Sequence, residues 1–233
     1  MEQRKTSNFA FFKQIIQILM HFKEYNKFKL VWVGDSHAAY LRKGLKHRDL
    51  NHPTIESLVY WLGPRLMYSV SRSGFPTTFF FRTFIRIWKP KLVIISLGEI
   101  DVRMYLSDPR LRNSLWVKDY LVKVNEFRKM LNLKVIYVLP DMPISKIPPL
   151  EPIERRGSFE ARLDGYIWLK LEVKRQIELD ESFSNIKCLS YRDSLVNDSA
   201  SLASDFTDDG IHVNAVGSWR AWKEFSFQLH SQD

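Results

Sequence analysis

The chain holds a single cysteine, Cys188, among its 233 residues. That count excludes an internal disulfide and any metal site built from several thiolates. Cys188 falls in an apolar stretch and is expected to be a buried, inert thiol; reducing surroundings are consistent with it. The chain also lacks any block of five or six lysines and arginines, any zinc-finger spacing and any aromatic RNA-binding signature. A formal net charge of +9 would favour anionic neighbours. Scattered as it is, the charge reads as solubility with weak steering, and no specific nucleic-acid partner is expected. No Gly-x-x-x-x-Gly-Lys or Gly-x-Gly-x-x-Gly string follows the first apolar run, which argues against nucleotide binding through those loops. No cofactor is expected. His37, Glu99, Asp101 and His212 match no compact ligand spacing, so no metal is expected either.

Long apolar runs are missing too. Phe9 to Phe22 is rich in Phe, Ile and Leu, but Lys13, Gln14 and Gln17 interrupt it and no small-residue cleavage site follows. It is too short and too broken to cross a bilayer and makes a poor signal peptide. The reading is an amphipathic helix over about residues 8–24 that packs on the domain, in a cytoplasmic protein. Lys13, Lys23, Lys27 and Lys29 keep a peripheral membrane or partner contact as the alternative.

What is present suits one globular domain over residues 1–233: 45% hydrophobic and 26% charged residues, with 16 Phe and 7 Trp for an aromatic-rich core. Short runs rich in Val, Ile and Leu predict buried strands at Lys29–Val33, Leu66–Val70, Leu92–Leu97, Lys134–Leu139 and Ile186–Tyr191. Runs without alternation belong in a parallel sheet covered on both faces. Helical spacing fills the intervals Ala38–His47, Thr77–Trp88, Leu115–Leu131, Phe159–Leu179 and Ala215–Leu229. Such alternation predicts an α/β three-layer sandwich, with a flavodoxin-like order for five parallel strands. The stretch Leu139–Glu154, with five prolines, reads as an irregular lid or specificity loop.

Three strings carry chemistry, and all fall beyond the carboxyl ends of predicted strands, where ligands bind in open α/β sheets. Gly34-Asp35-Ser36-His37 places a serine at a strand-to-helix turn, where free amides and the helix dipole stabilise developing negative charge. The alternative is that Asp35 or Ser36 does no more than cap that helix, and His37 reads as structural or substrate-facing. In Asp209-Gly210-Ile211-His212, a carboxylate three residues before a histidine can fold back onto Nδ1 and leave Nε2 for a hydroxyl. A polar turn with an incidental histidine is the bland alternative. In Gly98-Glu99-Ile100-Asp101-Val102-Arg103, Glu99 or Asp101 can pair with Arg103 as a loop-holding ion pair.

Taken in order, Gly34-Asp35-Ser36, Gly98-Glu99-Ile100-Asp101 and Asp209-Gly210-Ile211-His212 resemble blocks one, three and five of the SGNH, or GDSL-type, hydrolase superfamily. The resemblance implies a flavodoxin-like sandwich acting on esters, often acyl groups on carbohydrates or lipids. By position it makes Ser36 the nucleophile, His212 the general base and Asp209 its supporting acid. The superfamily's oxyanion hole uses the serine amide, a block-two glycine, for which Gly74 after the second predicted strand is the candidate, and a block-three asparagine. Here that asparagine is Ile100, which has no donor; Arg103, or less directly Arg72, can supply one, or bind an anionic part of the substrate. Asp35, Glu99 and Asp101 complete the expected substrate-binding set. The Gly-Glu-Ile-Asp-x-Arg variant is similar to a bacterial subgroup that accompanies surface-polysaccharide genes. The expectation is therefore a serine esterase that removes an acyl group, acetyl first, from a carbohydrate or similar small ester. Acyl transfer to a glycan from the same site, and a non-catalytic glycan-binding or assembly protein on this fold, are the alternatives.

Overall fold

The computed structural model describes residues 16, 28–47, 55–140, 142–144, 146 and 157–230. Five parallel strands form one sheet: β1 Phe28–Gly34, β2 Ile55–Trp61, β3 Leu92–Ser96, β4 Ile136–Leu139 and β5 Ile186–Cys188. Their order is β2-β1-β3-β4-β5, the flavodoxin-like arrangement in which the chain reverses its direction of winding beside β1. Among the described residues, six helices of seven residues or more cover the sheet: α1 Ser36–His47, α2 Met67–Ser73, α3 Phe79–Trp88, α4 Ser114–Met130, α5 Phe159–Leu179 and α6 Ala215–His230. Right-handed crossovers place α1 on one face, where α6 packs beside it and Ser218 Oγ donates to the Tyr40 carbonyl at 3.2 Å. The opposite face carries α2, α4 and α5. The expected three-layer α/β sandwich is thus the observed fold.

The interior strands are apolar because neither face meets water. Leu30, Val31, Trp32 and Val33 in β1 and all five residues of β3 are buried. One continuous hydrophobic core joins them to both helical layers, with Trp32 against Phe225 of α6 and Tyr60 stacked on Phe81 of α3. Side-chain caps start the helices where the sequence puts them: Thr78 Oγ1 accepts from Phe81 N, Asn113 Oδ1 from Leu115 N and Ser158 Oγ from Ala161 N.

The second predicted strand is wrong. Met67–Val70 is helical, with Leu66 as the extended residue before the helix, and the strand lies eleven residues earlier, at Ile55–Trp61. Gly63, at φ +76°, turns the chain out of the sheet after β2. The carboxylate of Asp101 then accepts from the amides of Met67 and Tyr68, at 2.7 and 3.1 Å, and so holds the first turn of α2 from a remote part of the chain. β4 and β5 are shorter than expected, by two and three residues respectively. All but Ile16 of the expected helix over about 8–24, and most of Leu139–Glu154, lie outside the described residues. Among the described residues no helix is long and apolar enough to cross a membrane. Burial pushes the Cys188 thiol up to about 12, as suits an unreactive group.

Candidate active site

Gly34 ends β1 where β1 lies tightest against β3: a Cβ there would be driven into the Ser96 carbonyl. Its own carbonyl accepts from Leu62 N at 2.7 Å, so the corner after β2 is stitched to the same point. Ser36 is the first residue of α1, in the turn whose amides have no intrahelical partner. At the far end of the chain, Asp209 organises its own loop. Its Oδ1 accepts from Ile211 N at 2.8 Å and from His212 N at 2.7 Å. Gly210, at φ +74°, makes that tight return possible.

These two corners meet. Asp209 Oδ2 lies 2.7 Å from His212 Nδ1, and His212 Nε2 lies 2.9 Å from Ser36 Oγ, across 176 positions of sequence. A carboxylate on Nδ1 fixes the tautomer with its proton there and leaves Nε2 as an acceptor for the hydroxyl. Burial would raise the Asp209 pKa, but the His212 ring and the amides of His212 and Ile211 outweigh it and hold it down at about 2. Asp209 therefore stays ionised. Tyr40, one turn beyond Ser36 on α1, stacks on the His212 ring at 4.1 Å and 7°. The serine-to-tyrosine spacing of four on a helix was the signal for it.

The remaining expected site residues separate into two groups. His37, Glu99 and Arg103 line a small pocket open to solvent, together with Arg162, Tyr166 and Ile211. His37 and Ile211 are the chain neighbours of Ser36 and His212, so this pocket adjoins the hydroxyl–imidazole pair. Arg103 Nε contacts Glu99 Oε1 at 3.0 Å, the ion pair read from the sequence. Glu99 also lies 3.9 Å from His37 Nε2. Burial nevertheless dominates at His37 and, with the charges of His212 and Arg103, pulls it down to about 3. At that separation the weak pairing with Glu99 does not offset the loss of solvent, and His37 is neutral.

Asp35, Asp101 and Gly74 do not face this pocket. Asp35 is 2% exposed, and its Oδ1 accepts from His37 N at 3.0 Å. It is the cap of α1, beneath the serine, and out of reach of a substrate. Burial, with Glu99 and Asp101 nearby, pushes Asp35 up to about 8, and its buried Oδ2 has no hydrogen-bond partner among the described residues. Asp101 is also 2% exposed and is committed to the α2 amides, with burial pushing it up to about 7. Gly74 closes α2, its amide bonded to the Val70 carbonyl, and faces Lys123. The glycine that follows β2, beside the Gly34–Leu62 junction, is Gly63. Arg72 is exposed on the last turn of α2.

Among the described residues no group of three or more His, Cys, Asp or Glu side chains could hold a metal ion. Arg162 and Tyr166, one turn apart on α5, escaped the sequence reading because nothing distinguishes them from an ordinary amphipathic helix.

No family model matches the chain, and no curated protein matches it. Solved structures do. A GDSL-like lipase from Bacteroides thetaiotaomicron superposes with a TM-score of 0.55 at 15% identity, covering 88% of this chain and 89% of that one. A protein assigned as an acylhydrolase from Bacteroides fragilis gives 0.56 at 15% identity, over 90% and 89%. The aryl esterase of M. smegmatis gives 0.50 at 15% identity, over 87% and 98%. At such identities the likeness is one of fold: this chain is built on the α/β sandwich that those three proteins share.

Proposed function

We propose that the protein is a serine esterase that removes an acyl group, acetyl first among them, from a carbohydrate or similar ester. One observation carries the reading: the hydroxyl of Ser36, the imidazole of His212 and the carboxylate of Asp209 stand in one hydrogen-bonded line. Three groups from two ends of a chain meet in that order and spacing to handle a proton. The fold shared with a GDSL-like lipase and an aryl esterase is consistent with it, as analogy.

In this scheme Ser36 Oγ attacks the acyl carbonyl while its proton passes to His212 Nε2. The carbonyl oxygen becomes an oxyanion facing the start of α1. Collapse breaks the ester bond; the alcohol leaves with the proton from Nε2, and the acyl group stays on Ser36. Water then attacks the acyl-enzyme, gives a proton to Nε2, and the acid leaves as Ser36 recovers that proton. Asp209 remains ionised throughout and stabilises the imidazolium at each half-reaction.

The Ser36 amide and the Gly63 amide, in place of Gly74, are the proposed oxyanion donors. Ile100 occupies the third donor position of the resembled superfamily. A missing donor costs roughly 2.7–4 kcal/mol of transition-state stabilisation, so turnover is expected to be slow. Ile100 is also what favours the second reading, a glycan-binding protein without turnover. Hydrolysis of 4-nitrophenyl acetate by the full chain separates the two. The esterase reading expects activity that Ser36→Ala and His212→Ala both reduce to background; equal rates for all three proteins favour the binder.

A further inference from the structure

The pocket beside Ser36 holds more positive charge than the protein itself neutralises. Arg162 is 8% exposed, yet the one hydrogen bond its side chain makes to a described residue runs from Nη1 to the Gly157 carbonyl, at 2.8 Å. A guanidinium has five donors. Among the described residues no carboxylate stands within ion-pair distance of it. Arg103, on the same pocket, is engaged by Glu99. The wall therefore presents two guanidiniums against one carboxylate. His37 is neutral there, and Asp35 lies beneath α1 and is largely protonated at neutral pH, so neither cancels the excess. Val102 and Ile144 add buried apolar surface to the same pocket, which weakens screening by water. Glu99, already paired with Arg103, and Glu160 act on Arg162 only from beyond ion-pair distance; a largely buried cation so weakly countered is costly, and a ligand that brings its own charge lowers that cost.

We propose that Arg162 is an anion subsite adjoining Ser36, so that the ester this protein handles carries a fixed negative charge, most simply a carboxylate. The substrate class is deepened, not replaced: the hydrolysis rests on the esterase reading, whereas anion binding at Arg162 does not. The carboxylate can belong to the acyl group, as in a dicarboxylic half-ester, or to the alcohol, as in an acylated uronic acid. A guanidinium pairs with a planar carboxylate through two parallel N–H bonds, which fixes orientation as well as charge.

Two substrate pairs test it on the full chain. Mono-4-nitrophenyl succinate is compared with 4-nitrophenyl butyrate, and acetylated glucuronic acid with its methyl ester. A charge-assisted contact is expected to favour the anionic member of one pair by roughly 10- to 100-fold in kcat/KM, chiefly through KM; the pair that responds locates the charge. Arg162→Gln is expected to bring that ratio to about one, and Arg162→Lys to keep a large part of it. A residue that only holds the Gly157 carbonyl would lower both members of a pair alike. Equal kcat/KM within both pairs, or a ratio unmoved by Arg162→Gln, overturns the subsite. Should no ester be turned over, the esterase reading falls and binding alone decides. Saturation-transfer NMR with succinate and with glucuronate is then expected to show contact with the wild-type chain that Arg162→Gln abolishes, and no contact with either anion overturns the proposal.

Discussion

Replacing Asp209 by asparagine changes almost nothing in shape and should remove almost all activity. The amide oxygen can still accept from the Ile211 and His212 amides, which Asp209 Oδ1 now serves at 2.8 and 2.7 Å. The other position becomes an NH2 group 2.7 Å from His212 Nδ1, where two donors cannot face each other. His212 must then carry its proton on Nε2, the nitrogen 2.9 Å from Ser36 Oγ, and it can no longer accept the serine proton. An equivalent change of tautomer elsewhere costs ~10⁴ in kcat, or ~5 kcal/mol of barrier. Stability should barely respond. The depression of Asp209 from 3.8 to about 2 would nominally be worth ~2 kcal/mol, but the side chain is 40% exposed and screening reduces this to ~1 kcal/mol or less. The assay is kcat for 4-nitrophenyl acetate at pH 8, with calorimetric melting of both proteins in the same buffer. Retention of more than a tenth of wild-type kcat by a folded Asp209→Asn protein would refute the assigned role.

Three other perturbations test the architecture under the site. Asp35 has a folded-state pKa near 8 against an ordinary 3.8, so the folded protein keeps a proton that the unfolded chain releases. Its contribution is greatest below pH 4 and is lost as pH rises to about 8; Asp35→Asn, which keeps the cap acceptor, should flatten the fall in Tm between pH 5 and 8.5, and an unchanged slope would contradict this. A residual slope should remain from Asp101, raised to about 7. Asp101→Ala strands the Met67 and Tyr68 amides and should cost ~3 kcal/mol in urea unfolding; a loss under 1 kcal/mol would mean that α2 is held otherwise. Gly34→Ala forces a methyl group into the Ser96 carbonyl and should destabilise by at least ~1–3 kcal/mol, whereas wild-type stability would show that β1 and β3 are not in the described register.

The sheet was readable where strands were purely apolar. Leu92–Ser96 is buried throughout and stood out as a strand, while β2 hides behind Glu56 and Ser57, which interrupt its apolar run. Leu66–Val70 misled for the opposite reason. It is as apolar as a strand, but its start is governed by Asp101, a residue more than thirty positions away that no local pattern reveals. That misplacement also carried Gly74 into the expected site and left Gly63 out. Ser36 was legible because its polar string lies just beyond the apolar run of β1; Asp209 and His212, some twenty residues past β5, were legible by their spacing of three, which lets the carboxylate fold back onto the ring. Asp35 and Asp101 looked like substrate ligands because sequence shows a carboxylate but not its burial. Arg162 carries no local mark; it gains meaning from the pocket that α5 faces.

The most direct measurement is reaction of the folded full chain with a fluorophosphonate, followed by peptide mass spectrometry to locate the adduct. Phosphonylation of Ser36, absent in Ser36→Ala and much slower in His212→Ala, is the expected result. A folded protein that remains unmodified, or that reacts at other serines at the same rate with and without His212, would contradict the claim that this hydroxyl is an activated nucleophile.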